Sequence, residues 1–244
     1  MAGWTTLGWA ALALPLIAAG GYVLNDVLDV CSDRVNKPNR PLVQGAVRIP
    51  TAILWAVLLL AAGAAAAASL PQTCLYISLL LLGMVILYDL WGKGQPLVGN
   101  LIASIMVGLA FLVGSLAGGQ GWWGLVPGVG AFLLHMPLEI IKDLEDMPGD
   151  RRQGLRTWPL VAGESAARHL AQLILIVLLL ALPLPTISGW MGPGYLVVAV
   201  LGVGVPTALV IRHLNRQADA AGNTVLVQAL KRCVIVGLLA LVIG

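Results

Sequence analysis

Apolar residues run along this chain in long stretches, and the polar residues gather in the short segments between them. Runs of about 17 to 22 apolar residues suit a helix crossing the hydrocarbon core of a bilayer. Eight such helices are predicted, near residues 5–28, 51–69, 73–90, 97–117, 123–141, 166–184, 193–211 and 226–243. The expected fold class is all-α, a polytopic transmembrane helical bundle. The first run has no basic segment before it and no small-residue cleavage site after it, so it is expected to stay in the mature protein rather than act as a removable signal.

Composition supports the same class, because 59% of the residues are hydrophobic and only 10% are charged, with a mean hydropathy of +0.93. A water-soluble globule has too little apolar interior to hide such a chain. The 14 Lys and Arg all lie in alternate connections or at the helix ends beside them, at Arg34 to Arg48, Lys93, Lys142 to Arg168 and Arg212 to Arg232. The opposite connections, at 70–72, 118–122 and 185–192, contain none. By the positive-inside rule the charged side is cytoplasmic and both termini lie outside. The formal net charge of +3 is what remains of a crowded one-sided surface, and no nucleic-acid partner is expected. Cys31, Cys74 and Cys233 have neither zinc nor disulfide spacing. Trp122, Trp123 and Trp190 on one side, with Trp91 and Trp158 on the other, read as interfacial aromatic belts. His169 and His213 read as interface residues without chemistry.

The 11 acidic residues share the basic side, and positive-inside sorting does not explain them. Six form a repeat: Asn25-Asp26-x-x-Asp29-x-x-x-Asp33 after the first span, and Asp143-x-x-Asp146-x-x-x-Asp150 after the fifth. Positions i, i+3 and i+7 fall within about 60° on a helix, so each triad can present its carboxylates from one face. The recurrence after spans one and five predicts two four-helix pseudo-repeats around a central cavity, with the triads facing each other. Carboxylates near a helix C-terminus meet the negative end of the dipole and need countercharge. Mg²⁺ supplies it, since it takes oxygen ligands from a few carboxylates together with phosphate oxygens. Two triads suit two ions bridging a diphosphate. Around them stand Arg34, Lys37, Arg40, Lys142, Arg151 and Arg152, cations suited to phosphate oxygens. Pro38, Pro41, Gly149, Gly154 and Pro159 shape the connections beyond each motif.

At these residues, NDVLDVCSD and DLEDMPGD, the chain resembles the UbiA superfamily of intramembrane prenyltransferases. The similarity continues through RVNKPNRPLVQG, YDLWGKGQPLVGN and RRQGLRTWPL, and so spans most of the chain. The resemblance implies helices around a lipid-accessible cavity in a single prenyltransferase domain over residues 1–244. Family members usually have nine spans, and this chain begins with the motif-bearing helix, so the first family helix is expected to be missing. Carried over, the resemblance makes Asn25, Asp26, Asp29, Asp33, Asp143, Asp146 and Asp150 the metal–diphosphate site. It makes Tyr88, Lys93 and Asn100 candidates for contact with the diphosphate or the reacting carbon. Asp26, Asp29, Asp146, Asp150, Tyr88 and Lys93 are the expected catalytic set. Asn25, Lys37, Arg40, Tyr88, Lys93, Asn100, Lys142 and Arg151 are the expected substrate contacts.

The implied reaction transfers a prenyl group from an isoprenyl diphosphate to a lipophilic acceptor in the cell membrane, in a pocket that keeps water from the allylic cation. Glu139, one turn before Asp143, and His135, one turn further back, are candidates to touch the acceptor or to be satisfied by neighbouring helices. Within the superfamily, NKPNRP and KDLED look most like geranylgeranylglyceryl phosphate geranylgeranyltransferases, which implies geranylgeranyl diphosphate as donor and a glycerol hydroxyl as acceptor. Aromatic-acceptor enzymes of quinone, tocopherol or chlorophyll synthesis share similar motifs. A cation-coupled transporter is the alternative of another class, although its acids belong near the bilayer midplane. CDP-alcohol phosphotransferases carry one combined motif, whereas here two are separated by more than a hundred residues.

Overall fold

The computed structural model of the chain describes residues 3–214 and 220–244. Its helices are α1 (Trp4–Leu28), α2 (Val30–Asn36), α3 (Ile49–Ala67), α4 (Gln72–Leu90), α5 (Val98–Ala117) and α6 (Leu125–Gln153). They continue with α7 (Trp158–Ala162), α8 (Glu164–Ala181), α9 (Leu184–Ile187), α10 (Pro193–Ala199), α11 (Val205–Leu214) and α12 (Ala220–Ile243). Among the described residues eight helical segments are long and apolar enough to cross a membrane, and each overlaps a predicted span. Lipid offers no hydrogen-bond partners, so a spanning backbone must satisfy its own groups, which a helix does.

The chain divides into two compact units, Met1–Gly128 with Pro148–Arg156, and Val129–Met147 with Thr157–Gly244. The division follows the predicted four-helix blocks, apart from the first four residues and the end of α6, which belong to the first unit. In the first unit α1 packs along α3, and α4 packs against α1 and α5. Ala10, Ala13, Ala66, Ala67, Cys74 and Ala117 fill the contact zone. Small side chains let spanning helices approach closely, and dispersion contacts then replace the hydrophobic effect that lipid cannot provide. The opposite face of α3 exposes Leu54, Trp55, Val57 and Leu58, a surface suited to acyl chains and not to water. The protein is therefore an integral membrane protein.

In the second unit α12 packs against α10 and α11, and α8 against α7 and α11. Leu175, Val210 and Leu230 are fully buried there. The seventh span is interrupted by a π-helical turn at Val200–Gly204, just before Pro206, which has no amide proton for the ladder. The buried Arg168 is held by Asn223 Oδ1 at 3.3 Å and Glu164 Oε2 at 3.4 Å, so this charge serves the unit's own packing.

Two helices depart from the expected boundaries where the motifs lie. The fifth apolar run ends near residue 141, yet α6 continues to Gln153, through a stretch where Lys142, Leu144, Glu145, Met147, Arg151 and Arg152 are good helix formers on either side of Pro148 and Gly149. It stops at Gly154, whose φ of +72° is the left-handed conformation that closes helices, and Arg151 and Arg152 face the negative end of the dipole. By contrast α1 pauses at Asp29 (φ −87°, ψ −2°), where the Ser32 hydroxyl donates to the Asp29 carbonyl at 3.2 Å. Helical bonds persist across the pause, from Asp29 N–H to Asn25 O at 2.9 Å and from Asp33 N–H to Asp29 O at 2.8 Å.

Candidate active site

Because those bonds continue, Asp26, Asp29 and Asp33 keep the i, i+3, i+7 relation of one helical face. Asp29 and Asp33 are buried, while the Asp26 side chain is 41% exposed. Two cations balance the three carboxylates. Arg40 Nη1 donates to Asp33 Oδ2 at 2.8 Å and also to Asp26 Oδ1, and Lys93 Nζ donates to Asp29 Oδ2. Arg40 is brought back to the triad by a compact turn in which its N–H bonds Lys37 O at 3.1 Å and its carbonyl accepts from Gln44 at 3.0 Å. Pro38 and Pro41 flank that turn. Burial raises the Asp33 carboxyl above its ordinary value; Arg40 opposes this, Asp29 adds to it, and Lys37 and Lys93 oppose it further.

Lys93 sits on a short 3₁₀ turn, Gly92–Gly94, after α4. The turn lies directly against the start of α5, where a Cβ on Gly99 would stand 2.9 Å from Lys93 Cα and 3.0 Å from Gly92 O. Only glycine permits that approach, which accounts for the Gly-Asn pair in this segment. Just before it, Leu97 adopts φ +62°, a left-handed conformation that costs a side chain about 1 kcal/mol or more. Asn100 is buried in the first turns of α5, and its carbonyl accepts from the Ser104 hydroxyl at 2.6 Å.

Asn25 Nδ2 donates to Asp89 Oδ1 at 3.1 Å, joining the first motif to the end of α4. Asp89 was not among the residues expected from sequence. The signal was available, since it follows Tyr88 at the basic end of an apolar helix, where a carboxylate needs a reason to be. Tyr88 itself is half-buried at that helix end.

On α6 the second motif lies within one uninterrupted helix. Asp143 and Asp146 belong to the second unit and are half-buried; Asp150 belongs to the first unit and is buried. In the first unit the Gly149 N–H donates to Asn36 Oδ1 at 3.0 Å, and the Arg156 N–H donates to Gly94 O at 3.1 Å. The residue before Asp150 is thereby tied to α2, and the segment after it to the Lys93 turn. Asn36 was not singled out from sequence either.

The other residues named from sequence take the following places. Lys142 pairs with Glu139 at 2.8 and 3.0 Å, and His135 Nε2 lies 3.3 Å from the same carboxylate. These three form a ladder within α6, so the structure places Lys142 on Glu139. Glu145 accepts from the Thr224 hydroxyl at 2.8 Å. Arg34, Arg151 and Arg152 are exposed, and Lys37 caps α2 through its backbone, donating to Asp33 O at 2.8 Å. His169 and His213 are exposed, as are Trp91, Trp122, Trp123 and Trp190.

Among the described residues no three acidic, His or Cys side chains converge at ligand spacing. The donors of both triads are nonetheless carboxylate oxygens, hard ligands that fit Mg²⁺ and not a soft metal. The first triad already gathers two cationic groups, and one oxygen of the neighbouring Asp89 is buried without a hydrogen-bond partner among the described residues.

Comparison with known proteins bears on what that site serves. The model of the UbiA prenyltransferase family matches residues 1–231. A protein of Methanopyrus kandleri named digeranylgeranylglyceryl phosphate synthase is 37% identical over 200 residues, which are 80% of this chain and 72% of that one. A solved structure described as giving insights into the biosynthesis of digeranylgeranylglyceryl phosphate synthase in membranes superposes with a TM-score of 0.70. It has 27% identity and covers 97% of this chain and 84% of its own. A UbiA homolog from Archaeoglobus fulgidus, solved bound to DMAPP and Mg²⁺, shares the fold with a TM-score of 0.64 at 16% identity, covering 96% and 88% of the two chains. With the family model covering nearly the whole sequence and both aspartate motifs intact, the chain belongs to the UbiA prenyltransferase family.

Proposed function

We propose that the chain transfers a geranylgeranyl group from geranylgeranyl diphosphate to the free hydroxyl of geranylgeranylglyceryl phosphate, a step of ether-lipid synthesis. The observation that carries this reading is the first triad held by Arg40 and Lys93 at the charged end of α1, in a chain whose relative bears the name of that synthase. Asp26, Asp29, Asp33, Asp143, Asp146 and Asp150 are the residues that would hold Mg²⁺, two ions in this reading. When bound, Mg²⁺ neutralises the diphosphate and improves it as a leaving group.

The chain's own residues have three tasks. The carboxylates collect the cationic charge that an anionic substrate requires. Arg40 and Lys93, now seated on carboxylates, are the cations proposed to receive phosphate oxygens, together with Lys37, three residues before Arg40, and Arg151, next to Asp150. In this reading Tyr88, Asn25 and Asn100 would contact the diphosphate or the reacting carbon. In the reaction the allylic C–O bond breaks and diphosphate leaves with its electron pair. The acceptor hydroxyl oxygen forms the new ether bond, and its proton passes to the released diphosphate. The apolar spans take the prenyl tail and keep water from the allylic cation. The distribution of Lys and Arg supports a cytoplasmic site.

The test is an assay of purified protein with labelled geranylgeranyl diphosphate, Mg²⁺ or EDTA, and a panel of geranylgeranylglyceryl phosphate and aromatic acceptors. Metal-dependent ether product, lost in Asp29→Ala and Asp146→Ala, is expected. Product only with an aromatic acceptor would overturn the assignment of the acceptor, and no turnover of any donor would overturn the whole reading.

A further inference from the structure

We infer that Asp89 is a positioning residue that fixes the amide of Asn25, so that the amide oxygen and not the nitrogen is left for the ligand. The inference rests on the proposed function only for the identity of that ligand, a Mg²⁺–diphosphate.

A primary amide carries a donor end and an acceptor end of nearly the same shape, and a rotation of about 180° exchanges them. Packing alone does not choose between the two. A carboxylate oxygen accepts and does not donate, so the end of Asn25 that faces Asp89 Oδ1, at 3.1 Å, is Nδ2. The oxygen is then the end available elsewhere. Asn25 directly precedes Asp26, and its carbonyl accepts the Asp29 N–H at 2.9 Å, so its side chain springs from the same helix end as the triad. An amide oxygen there is a neutral hard donor beside carboxylates. The opposite orientation would point two N–H groups where a cation has to enter.

Asp89 is not explained as a brace of the fold. Its second oxygen, Oδ2, is buried and has no hydrogen-bond partner among the described residues. One bond to a neutral amide does not offset the desolvation of a carboxylate. A residue that costs stability while dictating the orientation of a motif side chain is what a positioning role requires, and outer groups of this kind govern metal affinity elsewhere.

Titration calorimetry tests this on the full chain in detergent, with Mg²⁺ and inorganic diphosphate as probes and a melting curve for every variant. Asp89→Asn keeps the shape but can donate as well as accept, so it releases the choice of orientation. It is expected to weaken Mg²⁺–diphosphate binding about tenfold to a hundredfold, with the melting temperature unchanged or raised. Asn25→Ala should weaken binding similarly, and Asn25→Ala with Asp89→Asn should be no weaker than Asn25→Ala alone. Wild-type affinity in Asp89→Asn overturns the inference, as do additive losses in the double variant or a melting temperature that falls in step with affinity. Wild-type protein that binds no Mg²⁺–diphosphate overturns the proposed function itself, and the inference with it.

Discussion

Gly149→Ala separates two opposed effects whose sizes decide the outcome. Gly149 lies inside α6, where alanine is favoured over glycine by about 1 kcal/mol through backbone entropy alone. A helix surface with open space at this position would therefore be stabilised. Here a Cβ would meet Asn36 Cγ at 2.7 Å and Oδ1 at 2.8 Å, so the Asn36 side chain must move and the 3.0 Å bond from the Gly149 N–H is lost with it. Overpacking costs about 1–3 kcal/mol, and the lost hydrogen bond about 0.5–1.5 kcal/mol more. The penalty exceeds the helix gain, and a net destabilisation of about 0.5–3.5 kcal/mol follows from these terms. Asp150 is the next residue, so the displacement reaches a proposed metal ligand. A 2 kcal/mol loss of transition-state stabilisation corresponds to about thirtyfold in kcat/KM. The assay is melting temperature alongside kcat/KM for prenyl transfer, for Gly149→Ala, Asn36→Ala and the double variant. Removing the Asn36 side chain removes the clash, so the double variant should melt higher than Gly149→Ala alone. A Gly149→Ala protein that melts at or above wild type with unchanged kcat/KM refutes the reasoning, and so does a double variant no better than the single.

Other outcomes are expected from the same geometry. Arg40→Ala frees Asp26 and the buried Asp33 of their shared cation; charged hydrogen bonds of this kind contribute about 1.5–3 kcal/mol, so kcat/KM should fall about tenfold to a hundredfold, and an unchanged value would show that Arg40 is replaceable. Asp33→Asn should raise the melting temperature in EDTA at neutral pH while abolishing turnover, because burial raises the Asp33 carboxyl. The folded value lies above the unfolded one, so the stability that Asp33 withholds at neutral pH returns as pH falls through the folded value, and the gap between variant and wild type should close in acid. A melting gap independent of pH would refute this assignment. Cys31 is exposed while Cys74 and Cys233 are buried, so an impermeant maleimide should label inverted vesicles and spare right-side-out ones if the first motif is cytoplasmic; the reverse pattern would invert the topology.

Legibility differed by the range of the interaction concerned. The spans were readable because lipid imposes one requirement, an internally bonded apolar segment of fixed length, and Leu54 or Val57 meets it whatever its neighbours are. The triads were readable because their spacing is itself the helical repeat, and helical bonds do run across Asp29 and throughout α6. Lys142 was grouped with the phosphate contacts by charge and proximity in sequence, and its pairing with Glu139, three residues away on the same helix, was not foreseen. Asp89 was passed over because its role depends on Asn25, sixty-four positions distant.

The sequence by itself therefore determined the class of solvent, the number and order of the spans, the two carboxylate faces and the family, since each follows from local composition or from short periodic spacing. Only the tertiary structure decided which charges meet. Arg40 and not Arg34 returns to the triad, Lys93 reaches Asp29 because Gly99 lets its turn lie against α5, and Asn36 and not a charged neighbour holds Gly149. Those pairings depend on distances between segments remote in the chain, and such distances exist only once small residues have let the helices pack.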